Sequence, residues 1–168
     1  YNHLGYVPQA RQIDLDFPLT VMELVLTGSL SQSKWFGIYP KTVKEKAEQI
    51  LQKLGLIDHR NKAFGSLSGG LAQRALIARS LISDPKYLFL DEPTANIDPQ
   101  AAHEIFELLF SLKGSKTILM VTHHLSTIVQ KIERVFCIEK QLTSYLPKEV
   151  CEHFALGLYH DPLLKKEN

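Results

Sequence analysis

The spacing of apolar positions changes several times along this chain, and each change marks an element. Residues Asn2 to Val7 read as the end of a strand that stops at Pro8-Gln9 and gives way to a polar loop. Val21, Leu24 and Val25 then fall on one side of a helix that Thr20 is placed to cap and that reaches Gly28. Ser29 to Lys41, rich in Ser, Gly and Pro, reads as an exposed connection. Thr42-Val43-Lys44-Glu45 has the form of a capping box. Val43, Ala47, Ile50, Leu51 and Leu54 continue it at helical spacing until Gly55 stops the helix.

After a polar stretch from Asp58 to Ser66, a second helix start appears at Ser68-Gly69-Gly70. Ala72, Ala75, Leu76, Arg79 and Ile82 follow, with Pro85 as the stop. Tyr87-Leu88-Phe89-Leu90 is an unbroken apolar run, the pattern of a strand covered on both faces. Asp98-Pro99 predicts another helix, because Asp caps and Pro fits the first helical position; it runs through Ile105, Leu108 and Leu109 to about Leu112. Thr117–Val121 reads as the next buried strand, Ser126–Lys131 as a short helix and Val135–Ile138 as a further strand. Pro147 opens a last amphipathic piece with Val150, Phe154 and Leu158 on one face. Strands alternating with helices predict an α/β fold, a parallel sheet wound with helices.

Composition narrows the class. At 168 residues, 45% hydrophobic and 22% charged, the chain can bury a domain-sized core and is not a disordered polymer. A net charge of +1 excludes the broad basic surface of a nucleic-acid binder, so no nucleic-acid partner is expected. Two cysteines, Cys137 and Cys151, make no disulfide framework, which suits a reducing compartment. Apolar runs such as Leu88–Leu90 are too short to span a bilayer, and no signal peptide is visible. The first residue is Tyr1 rather than Met, as in a fragment.

Candidate chemistry concentrates in Leu88-Phe89-Leu90-Asp91-Glu92-Pro93 and what flanks it. Two carboxylates at the end of a buried strand lie at the carboxyl edge of the sheet, where α/β proteins bind ligands. Asp91 suits a hydrated Mg²⁺, and Glu92, pointing elsewhere, could orient or deprotonate an attacking water. A bare Asp-Glu is more often just a turn start. Ser68-Gly69-Gly70 could bring helix amides and a hydroxyl close to a phosphate, yet such a triplet is also a common turn. His123, just past a strand, and Gln9 each mean little alone.

Taken in order, Tyr-Val-Pro-Gln at 6–9, Leu-Ser-Gly-Gly at 67–70, Leu-Phe-Leu-Asp-Glu-Pro at 88–93, Ala-Asn-Ile-Asp at 95–98 and Val-Thr-His at 121–123 resemble the ATP-binding subunits of ABC transporters. They match, respectively, the Q-loop, the signature motif, Walker B with its catalytic glutamate, the D-loop and the switch histidine. Gly5-Tyr6-Val7-Pro8-Gln9, Asp14, Asp16-Phe17-Pro18 and Thr20-Val21 through Gly28 are similar to the zinc, manganese and iron importer branch.

The resemblance implies a P-loop NTPase-like wound sheet, incomplete at its N-terminus, with a helical signature subdomain. Residues 1–9 would carry the Q-loop strand, 10–84 the helical subdomain, and 85–168 the Walker B, D-loop and switch-histidine core with a C-terminal tail. It also implies ATP and Mg²⁺ as cofactors. Gln9 would sense Mg²⁺ and the water, and Ser68, Gly69 and Gly70 would contact the γ-phosphate held by the opposite subunit of a dimer. Asp91 would assist Mg²⁺, Glu92 would polarise water, Asp98 would couple the two sites and His123 would stabilise the transferring phosphoryl group. The implied partners are a second such subunit, membrane-spanning permease subunits reached through the Q-loop and, indirectly, an extracytoplasmic metal-binding protein. The implied location is the cytoplasmic face of the cell membrane.

Two residues depart from the family pattern: Leu71 stands where the signature usually has Gln, and His124 where an acidic residue commonly follows the histidine. No Gly-x-x-x-x-Gly-Lys-[Ser/Thr] loop occurs in the 168 residues, as expected of a chain that begins downstream of it. A non-catalytic remnant that only donates its signature motif, and a soluble ABC-type ATPase of translation or repair, are the alternatives. The short Gln9–Ser68 segment and the charge of +1 speak against the second. A metal site from His124, Cys151, His153 and His160 has no compact ligand spacing to support it.

Overall fold

The computed structural model describes residues 3–9, 18–30, 38–122, 128–138 and 141–150, and the chain divides into two compact units, residues 1–121 and 122–168. In the first unit the order is β1 (Leu4–Val7), α1 (Val21–Thr27), α2 (Lys41–Lys53), α3 (Gly69–Leu81), β2 (Tyr87–Asp91), α4 (Pro99–Ser111) and β3 (Thr117–Val121). All three strands are parallel, with β2 in the centre, Val7 opposite Leu90 and Asp91 opposite Val121. This is the predicted α/β arrangement.

Burial on the sheet is one-sided. Val7, Leu88 and Leu90 point to one face and are buried. Leu4, Tyr6, Tyr87, Leu119 and Val121 share the other face by register and are exposed, Val121 by 62%. Two expectations therefore need correction: among the described residues Tyr87–Leu90 is covered on one face only, and Thr117–Val121 is a half-open strand at the edge of the sheet rather than a buried one. An unbroken apolar run states that both faces are suited to burial; it does not supply the covering layer.

Helices α1, α2 and α3 pack together. Thr20 caps α1 as expected, and with Glu23 it completes a reciprocal capping box: Thr20 Oγ1 accepts from the Glu23 amide at 3.2 Å, and Glu23 Oε2 accepts from the Thr20 amide at 2.8 Å. The capping box assigned to Thr42 and Glu45 is not formed. The chain enters α2 at Lys41 from an extended Pro40, φ −56° and ψ 152°, so Thr42 is already inside the helix. Gly55, at φ +67°, follows its C-terminus as anticipated.

Helix α1 ends hard against α3. Arg79 Nε donates to Thr27 Oγ1 at 2.9 Å, and the Arg79 carbonyl oxygen occupies the place a Cβ on Gly28 would need. The neighbouring Ser29, expected in an exposed connection, is buried. Helix α3 lies over β1, where the Ser80 carbonyl would sit 3.2 Å from a Cβ on Gly5. It ends at Leu81, before Pro85, with Asp84 in a left-handed turn (φ 52°) held by Lys116 Nζ at 2.7 Å.

The second unit contains β4 (Val135–Ile138) and β5 (Leu142–Tyr145), paired antiparallel with Ile138 opposite Leu142. Val135–Ile138 forms the further strand expected there; its described partner is the strand that follows it, and Leu142–Tyr145 was not anticipated. Leu-Thr-Ser-Tyr is too short and mixed to announce itself. Residues 123–127, which include the first two of the expected Ser126–Lys131 helix, and Phe154 and Leu158 lie outside the described residues; of that helix Ile128 is helical and residues 129–131 are turn, and Pro147–Glu149 is one 3-10 turn.

Candidate functional site

Two groups of the singled-out residues gather in the first unit, joined by the loop Glu92–Ile97. The first lies at the carboxyl edge of the sheet. Because β1 and β2 run parallel with Val7 opposite Leu90, Gln9 and Asp91 both emerge at that edge. Asp91 closes β2 and is half-buried, its side chain on the open face by register. Glu92 leaves the strand with φ 44°, a left-handed conformation that is strained for a residue with a side chain. Its amide donates to the Val121 carbonyl at 2.9 Å, so the turn is tied to the end of β3.

The loop then tightens. Ala95 donates to the Glu92 carbonyl at 3.1 Å, Asn96 is again left-handed at φ 60°, and Pro93 and Thr94 are buried beneath. The loop delivers the chain to Asp98, whose Oδ1 accepts from the Ala101 amide at 3.0 Å and caps α4.

The second group is the start of α3. Ser68 is its N-cap, with Oγ accepting from the Leu71 amide at 3.5 Å, and Ser68 and Gly69 are exposed. The first-turn amides of a helix have no partner within it and carry its positive end, so this turn is chemically suited to an anion. Its position is set by α4. A Cβ on Gly70 would stand 2.8 Å from Ala101 Cβ, and one on Gly69 would lie 3.8 Å from the Asn96 carbonyl oxygen. One helical turn beyond Gly70, Arg74 is ion-paired with Glu104 of α4.

Thus Ser68, Gly69 and Gly70 are brought beside the Asn96–Asp98 turn, while Gln9, Asp91 and Glu92 share the sheet edge. His123, His124, Asp14, Asp16, Cys151, His153 and His160 lie outside the described residues. Among the described residues no group of three His, Cys, Asp or Glu could hold a metal by itself, and no helix is long and apolar enough to cross a membrane. Sequence reading missed Arg74, Glu104 and Ala101. Arg74 follows Gly70 by one turn and Glu104 follows Ala101 by about one, but nothing in the sequence says that the two helices meet at Gly70, so this spacing gave no signal. It also missed two buried side chains, Gln73 and Thr94, whose Nε2 and Oγ1 find no hydrogen-bond partner among the described residues.

Comparison with known proteins bears on the family and the fold. Residues 1–95 match the family model described as ABC transporter. The "Probable metal transport system ATP-binding protein" of Chlamydia trachomatis is 45% identical over 84% of this chain and 60% of its own length. The manganese transport system ATP-binding protein MntB of Halalkalibacterium halodurans is 38% identical over 87% of this chain and 59% of its own. Among solved structures, cbiO1 of Clostridium perfringens, part of the ABC transporter complex cbiONQ, superposes with a TM-score of 0.74 at 28% identity, covering 92% of this chain and 61% of that one. The chain spans about 60% of the length of the curated relatives it matches.

Proposed function

Because this chain belongs to the ABC transporter family, we propose that it is part of the ATP-hydrolysing subunit of a metal-ion importer, peripheral to the cytoplasmic face of the membrane. The observation that carries the chemistry is the joint arrangement of Asp91 and Glu92 at the carboxyl edge with the α3 turn against the Asn96–Asp98 turn. The metal cargo is proposed from relatives named for manganese and zinc transport.

The residues fit a magnesium nucleotide in two halves. Asp91 and Gln9 offer hard oxygen donors at one edge, suited to a hydrated Mg²⁺. The exposed Ser68–Gly69 turn offers a hydroxyl and backbone amides, suited to a terminal phosphate. As the family resemblance implies, these halves serve different nucleotides in a head-to-tail pair of subunits, the Asp91 edge a subunit's own and the Ser68 turn its partner's. Glu92 accepts or orients the proton of the attacking water; bound Mg²⁺ supplies charge neutralisation on the phosphates. Asp98, beside the signature turn, carries the state of one site towards the other. His123 is assigned the transferring phosphoryl group by sequence position alone. Permease subunits contact the Q-loop region, and an external binding protein delivers the cargo.

The test is directional. In a complete subunit, Ser68→Arg leaves ATP bound at the mutant's own Walker B site and abolishes hydrolysis at the partner's. Mixed dimers with one mutant subunit separate the two. A defect that maps to the mutant's own site overturns the cross-subunit assignment.

A further inference from the structure

The α3–α4 contact has two rungs. At the first, Gly70 has no Cβ, and Ala101 fills the space to which one would point, at 2.8 Å. At the second, Arg74 of α3 and Glu104 of α4 form an ion pair whose arginine side chain is only 20% exposed. These residues are 30 apart in sequence, so the pair fixes tertiary rather than local geometry. The Arg74 guanidinium also borders the turn after α2: a Cβ on Gly55 would lie 3.5 Å from Nη1. One side chain therefore lies where three helices converge.

We propose that Arg74, through Glu104, is a positioning residue that makes the Ser68–Gly70 turn and the Asn96–Asp98 turn a single rigid unit. Two rungs fix both the rotation of α3 about its axis and its axial register on α4; one rung of small residues fixes neither. Glycine and alanine make a close but smooth contact over which α3 can slide or roll. An ion pair with one partner largely withdrawn from water resists that motion more than a surface pair, since the charges are less screened and a lost partner leaves the arginine under-solvated. A roll of α3 by a few degrees would move the Ser68 hydroxyl and the first-turn amides relative to Asp98, and terminal-phosphate contacts tolerate little misplacement. The role does not extend to a subunit's affinity for its own nucleotide, because that nucleotide is assigned to the sheet edge and neither Arg74 nor Glu104 is there.

This inference rests on the reading above, that the α3 turn serves a nucleotide. The experiment uses the complete ATPase subunit assembled with its partners and measures phosphate release, Mg-ATP affinity and melting temperature for Arg74→Ala, Arg74→Lys, Glu104→Gln and the exchange Arg74→Glu with Glu104→Arg. Ser68→Arg is run beside them. Arg74→Ala is expected to lower kcat about tenfold or more, with ATP affinity changed less than about twofold, and the exchange is expected to recover most of the turnover. Glu104→Gln, which keeps the side chain's shape, is expected to lower kcat in the same direction, so a failure of Arg74→Ala to fold leaves the question open to measurement. Normal kcat in Arg74→Ala and Glu104→Gln while Ser68→Arg is dead would overturn the positioning role and leave the nucleotide reading intact. Loss of kcat that the exchange does not recover would also overturn it. Normal hydrolysis in Ser68→Arg itself would remove the reading on which both stand.

Discussion

The amide of Glu92 donates to the carbonyl of Val121 at 2.9 Å, so the residue that leaves β2 is fastened to the end of β3. The fastening is made by backbone, and it holds Glu92 at φ 44° whatever its side chain does. A strained conformation of this kind costs about 1–3 kcal/mol and persists only where its surroundings dictate it. Direction of the side chain is thereby decoupled from its chemistry.

Glu92→Gln should accordingly leave the turn intact and remove only charge and basicity. In the complete subunit, ATP binding is expected to persist and turnover to fall by about 100-fold or more, the range lost with a general base. ATP-bound dimers should accumulate. Phosphate release and size-exclusion chromatography with Mg-ATP check both, and near-normal hydrolysis would count against Glu92 as the carboxylate that activates water.

Glycines in this fold separate into those that packing requires and those it does not. The Arg79 carbonyl oxygen occupies the Cβ position of Gly28, and backbone cannot move aside as a flexible side chain can. Around Gly69 the nearest atoms would lie at 3.8 and 3.9 Å, ordinary contacts. Gly28→Ala is therefore expected to cost about 1–3 kcal/mol or more, as overpacking does, while Gly69→Ala should be close to neutral for folding. Urea unfolding of both variants tests the contrast; equal stabilities would mean that α1 and α3 do not pack as closely as described.

Much of this site was legible in the sequence because its parts are local. The Ser68 cap, the Asp98-Pro99 start and the Asp91-Glu92 pair at a strand end each depend on a few consecutive residues, and all three form as read. What was illegible is set by neighbours distant in sequence. Thr42 satisfies the capping-box pattern, but Pro40 starts the helix before it. Leu119 and Val121 are apolar yet exposed because, among the described residues, no layer covers their face of the sheet, which is also the face of Tyr87 on the central strand; the strand's own residues do not specify that layer. Arg74 looked like any surface arginine until α4 brought Glu104 to it.

Acid should loosen the fold at two identified carboxylates. The backbone and hydroxyl hydrogen bonds from Thr20 hold Glu23 below its ordinary 4.5, and hydrogen bonding and charge attraction from Lys116 hold Asp84 below 3.8. Both groups bind protons more weakly folded than unfolded. Their contribution is present above those ordinary values and disappears as pH falls through the lowered ones. Stability should thus be insensitive to them from neutral pH down to about 5 and decline below about 4. Both carboxylates are largely exposed, so each effect is small. Urea midpoints of Glu23→Gln and Asp84→Asn should lie below the parent's at neutral pH and converge on it at low pH; a gap that widens on acidification would reverse the sign.

The 168-residue polypeptide by itself should neither hydrolyse ATP nor bind it tightly. Most contacts to the β- and γ-phosphates in this class of ATPase come from a loop of the form Gly-x-x-x-x-Gly-Lys-[Ser/Thr], which these residues do not contain. Without a positioned phosphate, Glu92 has no water to direct. Leu4, Tyr6, Tyr87, Leu119 and Val121 also form one exposed apolar face on a parallel sheet, an arrangement that sheets of this type normally bury, and β3 presents an edge beside it. Exposed area of this kind promotes association through the face and edge. Calorimetry with Mg-ATP should register no micromolar binding, and sedimentation should detect concentration-dependent association that Leu119→Lys and Val121→Lys reduce. A monomer that melts cooperatively and binds Mg-ATP at micromolar concentration would mean that Ser68, Asp91 and Gln9 assemble a nucleotide site without that loop.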